Sequence, residues 1–194
     1  MEYNLPKTVT VGGETLAIRT DFRVILTIME AISDPDLSDQ DRALCLIELF
    51  YMEPSRIRNA KEAVEACYSF IDMGETSGKK SPRVMDWKQD FKYIIAPVNR
   101  VLGQEARGIE YDYDTNTGGL HWWTFMAAYM EIGGDCMFSQ IVSIRDKQAR
   151  GKKLEKYEKE WARRNSDLIA FRQKFSEDES QLAKEWMSGG KNNG

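Results

Sequence analysis

Apolar residues recur along this chain with two different periods. Between Thr8 and Arg19 they alternate with polar residues around Gly12-Gly13, the pattern of a β-hairpin with a two-glycine turn. Two strands alone are marginal, so this hairpin must lean on something. From Phe22 the spacing becomes helical. Phe22, Ile25, Met29 and Ile32 mark a first helix, capped by Asp21 and stopped at Ser33-Asp34-Pro35. Leu44, Ile47 and Phe50 or Tyr51 mark a second, to about Met52, with Ser38 and Asp41 three apart as in a capping box, although Asp is shorter than the usual Glu or Gln. After Pro54-Ser55, Ile57, Ala60, Val64, Cys67 and Ile71 mark a third, to about Met73, and Gly74 to Pro82 is a polar loop. Asp86 caps a fourth with Trp87, Phe91, Ile94, Val98 and Leu102 inward; Pro97 lacks a backbone donor and should kink or split it.

Ile109, Tyr111 and Tyr113 alternate with Glu110, Asp112 and Asp114, which predicts a short third strand able to join the N-terminal hairpin. Asn116 to Gly119 then turns the chain into its central stretch, Leu120 to Arg145. This stretch holds the single histidine and two of the five tryptophans. Each indole of the Trp122-Trp123 pair buries a large area, and its N–H must still find an acceptor. Gly133-Gly134 ends the central helix, and Phe138, Ile141, Val142 and Ile144 start another. Beyond Gly151, Leu154, Tyr157, Trp161, Leu168, Phe171, Phe175 and Leu182 follow near-heptad spacing, interrupted by Arg164 and Asp178: a long amphipathic helix. The fold class is therefore mainly α: a helical core domain over residues 1–150 with a small N-terminal β-hairpin, a basic helical arm over 151–187, and a tail at 188–194 expected to be disordered.

Composition adds a segregation of charge. The net charge is −4, yet residues 145–174 hold eleven Lys and Arg against five Asp and Glu. The other residues therefore carry −10 against +6 on that segment. At 194 residues with 42% hydrophobic content, the chain can build a sizeable core. Cys45, Cys67 and Cys136 are odd in number and far apart, the pattern of free, mostly buried thiols in a reducing compartment. The N-terminus shows no secretory signal, and the apolar run Leu120–Ile132 is too short to span a bilayer, so the expectation is a cytoplasmic protein.

Candidate chemistry mostly fails on spacing. Gly74 to Ser81 resembles a phosphate-binding loop, but its first glycine is one residue too close, Lys80 occupies the Ser/Thr position, and a helix precedes it where a strand is required. Asp112, Asp114 and Asn116 open like a calcium loop, but Thr117 replaces the glycine and Trp123 the bidentate Glu; Asp34, Asp36 and Ser38 end likewise at Cys45. His121 and the dispersed cysteines lack the paired spacing of zinc ligands, and a histidine capping the central helix is the better reading. No nucleophile stands beside a base, so neither catalysis nor a cofactor is expected. The arm, with Tyr157 and Trp161 among lysines, fits nucleic acid less well than a protein surface, because Glu155, Glu158 and Glu160 interleave.

Leu120-His121-Trp122-Trp123-x-Phe125, preceded by Phe91-x-Tyr93-Ile94 and followed by Phe138-x-x-Ile141 and Ile144-Arg145, resembles a bacteriophage family known as gene product fifteen. The resemblance covers roughly residues 1 to 172. It departs at Arg107-Gly108-Ile109-Glu110-Tyr111, where the family often has Tyr-Gly-Ile-Asp-Leu, and at Met130-Glu131-Ile132-Gly133, where it often has Leu-x-Gly-Leu. It implies a tail assembly chaperone of long-tailed phages and prophages of Gram-positive bacteria, acting in the host cytoplasm. The implied partner is the tape measure protein, a long apolar helical chain that must be covered before tube subunits surround it, with the major tail tube protein and a second copy of the chain as further candidates. Leu154, Tyr157, Trp161 and Leu168 are then the expected partner-binding stripe, against the alternative that the arm folds back on its own body. Leu120, His121, Trp122, Trp123 and Phe125 are expected in the core. A structural tail component retained in the virion and a nucleic-acid-binding accessory protein are the other readings.

Overall fold

A computed structural model describes residues 4–75 and 81–172. The N-terminal hairpin pairs β1 (Thr8–Val11) with β2 (Glu14–Ala17), antiparallel, with Val11 opposite Glu14. Gly12 and Gly13 take φ of 58° and 81°, so the two-residue turn has the positive φ at both positions that matches strand twist. The hairpin leans on helical structure, as its marginal size requires. The Gly12 N–H donates to Glu62 Oε1 at 2.8 Å, and Ile18 bridges to Tyr51.

Five helices then build the body: α1 (Phe22–Ile32), α2 (Asp39–Phe50), α3 (Ala60–Ile71), α4 (Trp87–Leu102) and α5 (Trp122–Met130). Their starts follow the capping rule, with Asp21, Ser38, Asn59 and Asp86 side chains each accepting a first-turn backbone N–H. At Ser38 the box is half made: Asp41 takes the Ser38 hydroxyl at 2.6 Å, because its side chain is a methylene short of the backbone. α4 runs through Pro97 without splitting and stops at Gly103, in the left-handed region with φ of 70°. Buried Pro97, Ile94, Ile95 and Val98 show that packing overrides the lost hydrogen bond.

The expected third strand exists but does not join the hairpin. β3 (Tyr111–Asp112) pairs with its own neighbour β4 (Thr117–Gly118). The reason is local: Asp112 Oδ1 accepts the N–H groups of Asp114 and Thr115 at 2.9 and 3.1 Å, closing the turn before the strand can extend. Asn116 and Arg19 make the link to the hairpin instead, through Asn116 Nδ2 to the Ile18 carbonyl and Arg19 Nε to the Tyr113 carbonyl.

α6 (Met137–Ala149) follows, then α7 (Lys156–Arg164) and α8 (Ser166–Ile169). The arm is thus two helices with a break at Asn165, and its described part folds back: Ile169 is buried, and Gln89 of α4 bonds the backbone of both Ala170 and Arg172. The expected continuation to residue 187, the tail at 188–194 and most of the loop resembling a phosphate-binding site lie outside the described residues. Of the three cysteines only Cys67 is buried; Cys45 and Cys136 are half-buried, and Cys136 caps α6. No helix among the described residues is long and apolar enough to cross a membrane.

Candidate functional site

The Leu120–Phe125 segment is the hub of the main core. It enters α5 across an antiparallel bridge to the start of α1: Phe22 N–H donates to the Leu120 carbonyl at 2.9 Å, and Trp122 N–H to the Thr20 carbonyl at 2.6 Å. Asp21, 2% exposed, ties both sides together. Its Oδ1 caps α1, its Oδ2 accepts the Leu120 N–H at 2.8 Å, and Arg23 pairs with it through two nitrogens. Gly119 permits this approach. Its φ is 77°, and a Cβ there would lie 2.4 Å from Asp21 Oδ2.

The tryptophan pair ends a different helix. Trp122 Nε1 donates to the Ile71 carbonyl and Trp123 Nε1 to the Phe70 carbonyl, both at 2.9 Å, so the two indoles satisfy the C-terminus of α3. Trp122 also packs on Trp87 and Phe125, and Phe125 stacks on Phe22 at 4.7 Å. Leu120, Trp122 and Phe125 are buried, while His121 and Trp123 are half-buried. His121 caps α5: its Nδ1 accepts the Trp123 N–H at 3.0 Å, which leaves the proton on Nε2 to donate to the Pro6 carbonyl at 2.9 Å. Burial holds its pKa below the ordinary value of 6.5.

Beside this hub an open groove of about 480 Å³ runs between α1 and the N-terminal turn of α4. Leu26, Met29, Met85, Trp87 and Phe91 give it apolar walls, and a Glu30–Lys88 ion pair and Arg83 stand at its rim. A volume of this size admits one or two large side chains of a docking segment.

The C-terminal helices are held by a different chemistry. Arg145, 3% exposed, makes a bidentate pair with buried Asp90 at 2.6 and 3.1 Å, and donates to the carbonyls of Val84, Leu168 and Ile169. Phe171 lies against Arg83 and Arg145 as a cation–π contact. Around this keystone Leu154, Trp161 and Leu168 pack with Ile141, Ile144 and Ile169. The four residues of the expected stripe therefore do not face one way. Tyr157 alone points out, 65% exposed.

Asp90 is the main residue that sequence reasoning missed. A signal was present, since it shares the inward face of α4 with Trp87, Ile94 and Pro97, where an acid demands a partner. Arg19 was missed as well; it is buried, and its Nη1 donates to the Tyr51 carbonyl at 2.6 Å and to those of Glu48 and Leu49, closing the end of α2. Among the described residues no cluster of His, Cys, Asp and Glu is placed to hold a metal. Burial pushes the Cys67 thiol up, away from nucleophilic use.

A helical body, a small hairpin leaning on it, and a Leu-His-Trp-Trp segment bridged to the first helix define a small, mainly α protein. The family model described as bacteriophage Gp15 protein matches residues 1–170, and the chain belongs to that family. Neither the curated proteins nor the solved structures contain a significant match.

Proposed function

We propose that this phage protein is a tail assembly chaperone that binds the tape measure protein and keeps it soluble in the host cytoplasm during tail morphogenesis. Family membership supports the phage setting. The observation that carries the binding reading is the α1–α4 groove, apolar on its walls, charged at its rim and open beside the aromatic hub. An amphipathic helix that lays an apolar side chain between Met29 and Trp87 is covered there against aggregation. The reading requires no cofactor, metal or catalysis, and it makes the tape measure protein the principal partner, with the tail tube protein secondary.

Co-expression with a tape measure protein, followed by light scattering on the purified material, tests it. The expected result is a soluble complex of defined mass, with the tape measure protein insoluble alone. Thr27→Arg, at an exposed position on the groove wall, should abolish the complex while leaving the fold intact. Absence of a complex, with the chain retained in mature particles, would replace this reading by that of a structural tail component.

A further inference from the structure

The charge segregation resolves into two exposed faces. Residues 32–75 carry ten acids against four bases, and residues 145–172 carry ten bases against five acids. These regions share no extensive contact: α7 packs on α8, α8 on α6, α6 on α4, α4 on α1, and α1 on α2. The body of the protein stands between them.

Each face also has an apolar anchor. On α2 the outward positions read Asp41, Leu44 and Glu48, and along α3 and its C-cap Glu65, Tyr68 and Asp72, the same acid, apolar, acid order at i, i+3 and i+7, with Glu65 paired to Lys61. Leu44 is 53% and Tyr68 41% exposed. Beside these positions lies a hollow of about 250 Å³ bordered by Ile32, Ala43, Leu46, Val64 and Tyr68, with the mutually paired Asp39 and Arg42 at its polar edge; Leu44 and Glu48 stand outside it. On the other side, Tyr157 stands out from the start of α7, with Lys153 just before the helix, Arg164 two turns on, and Lys156 and Arg163 at its flank, all exposed and all without an ion pair among the described residues; Glu160 is the one exposed acid on this face of α7. One face is predominantly cationic around Tyr157, and the other predominantly acidic around Leu44 and Tyr68.

We infer that the Tyr157 face of one chain docks on the α2–α3 face of a second copy, head to tail. The occupant is a second copy because the two faces carry opposite charge, each with an exposed apolar anchor, and no extensive contact joins them within one chain. The contact is heterologous, so each added copy leaves one face of each kind open, and the assembly grows into rings or open chains. A nine-residue helix on a two-helix face makes a small interface, below the roughly 1,200 Å² of a stable complex, so the association is weak and reversible. It shares no residue with the α1–α4 groove and stands or falls independently of the chaperone reading.

Sedimentation velocity on the full chain tests the inference. At about 0.05 M salt the mass should climb with concentration past the dimer, and at about 0.5 M salt, where exposed charges are screened, it should fall back to the monomer. Tyr157→Ser with Arg163→Glu should weaken association at least about tenfold, and so should Leu44→Ser with Glu48→Lys, with unchanged circular dichroism because all four positions are exposed. The decisive arm mixes the two variants. Each retains one working face, so the mixture should form a dimer that does not grow. A wild-type chain that stays monomeric at low salt, a variant that still dimerises alone, or an α7 face that binds duplex DNA without any self-association would overturn the inference.

Discussion

The two buried hubs of this protein hold their surroundings by opposite means. Around Leu120–Phe125 the attachment is spread over stacked rings, two indole hydrogen bonds and a backbone bridge. Around Arg145 it is concentrated in one guanidinium that reaches a carboxylate and three carbonyls, with a small apolar cluster beside it. Spread attachment loses a part at a time. Concentrated attachment fails at once but locally, because what else holds the C-terminal helices is a small apolar cluster, two Gln89 hydrogen bonds and the Lys147–Glu158 pair.

The largest expected effects test that contrast directly. Trp122→Ala should cost about 3–5 kcal/mol, the range for a large aromatic removed from a core. It also leaves the Ile71 carbonyl without its indole donor. Chemical denaturation should show the loss as one cooperative shift, with hydrogen exchange rising across α1, α3, α4 and α5 together. Arg145→Met should cost a similar amount, about 3–5 kcal/mol, because it strands a buried carboxylate at Asp90. Its exchange signature should differ: α7 and α8 lose protection while the aromatic hub keeps it. Adding Asp90→Leu should recover only part of the loss, since the Val84, Leu168 and Ile169 carbonyls still lack their donor.

Gly119→Ala should come next, at about 1–3 kcal/mol. Its φ of 77° strains any side chain, and the new Cβ would meet Asp21 Oδ2 at 2.4 Å and Tyr111 Cδ2 at 2.8 Å. Thermal unfolding measures the cost. Gly13, which also has positive φ but open space around it, should lose less on the same change.

The difference between the hubs also explains what was legible beforehand. Periodicity located α1 to α6 and the hairpin because each has a continuous apolar face, and the caps at Asp21, Ser38, Asp86 and His121 were readable from residue type and position. That the tryptophans need acceptors was readable too; that these lie at the end of α3, fifty residues away in sequence, was not, because no local pattern encodes a long-range carbonyl. The arm left two readings open for a related reason. A near-heptad repeat over Leu154, Trp161 and Leu168 looks the same whether the stripe meets a partner or its own body, and the buried Arg145–Asp90 pair that anchors it to the body has no local sequence pattern. The break at Asn165 sits inside that repeat with neither Gly nor Pro to announce it.

The smallest effect separates the hubs by pH. The single histidine belongs to the aromatic side, where its unprotonated Nδ1 caps α5. Its folded pKa lies below the unfolded value of 6.5, so between the two the unfolded chain binds more protons than the folded one. The stabilisation is full above pH 6.5 and is lost as pH falls from there through the lowered folded value. An N-cap sets the scale, at about 1 kcal/mol. His121→Asn keeps a cap without a titrating group, so the difference in denaturation midpoint between wild type and variant, followed against pH, isolates this effect. The arm responds elsewhere on the scale. Lys147, 2.5 Å away, and the Glu155 N–H hold the Glu158 carboxyl below its usual 4.5, so that contact is present above pH 4.5 and yields only as the pH drops through the lowered value. Acidification should therefore raise exchange first at the start of α5 and only later along α7. Simultaneous loss, or loss at α7 first, would show that the histidine cap does not govern the aromatic hub.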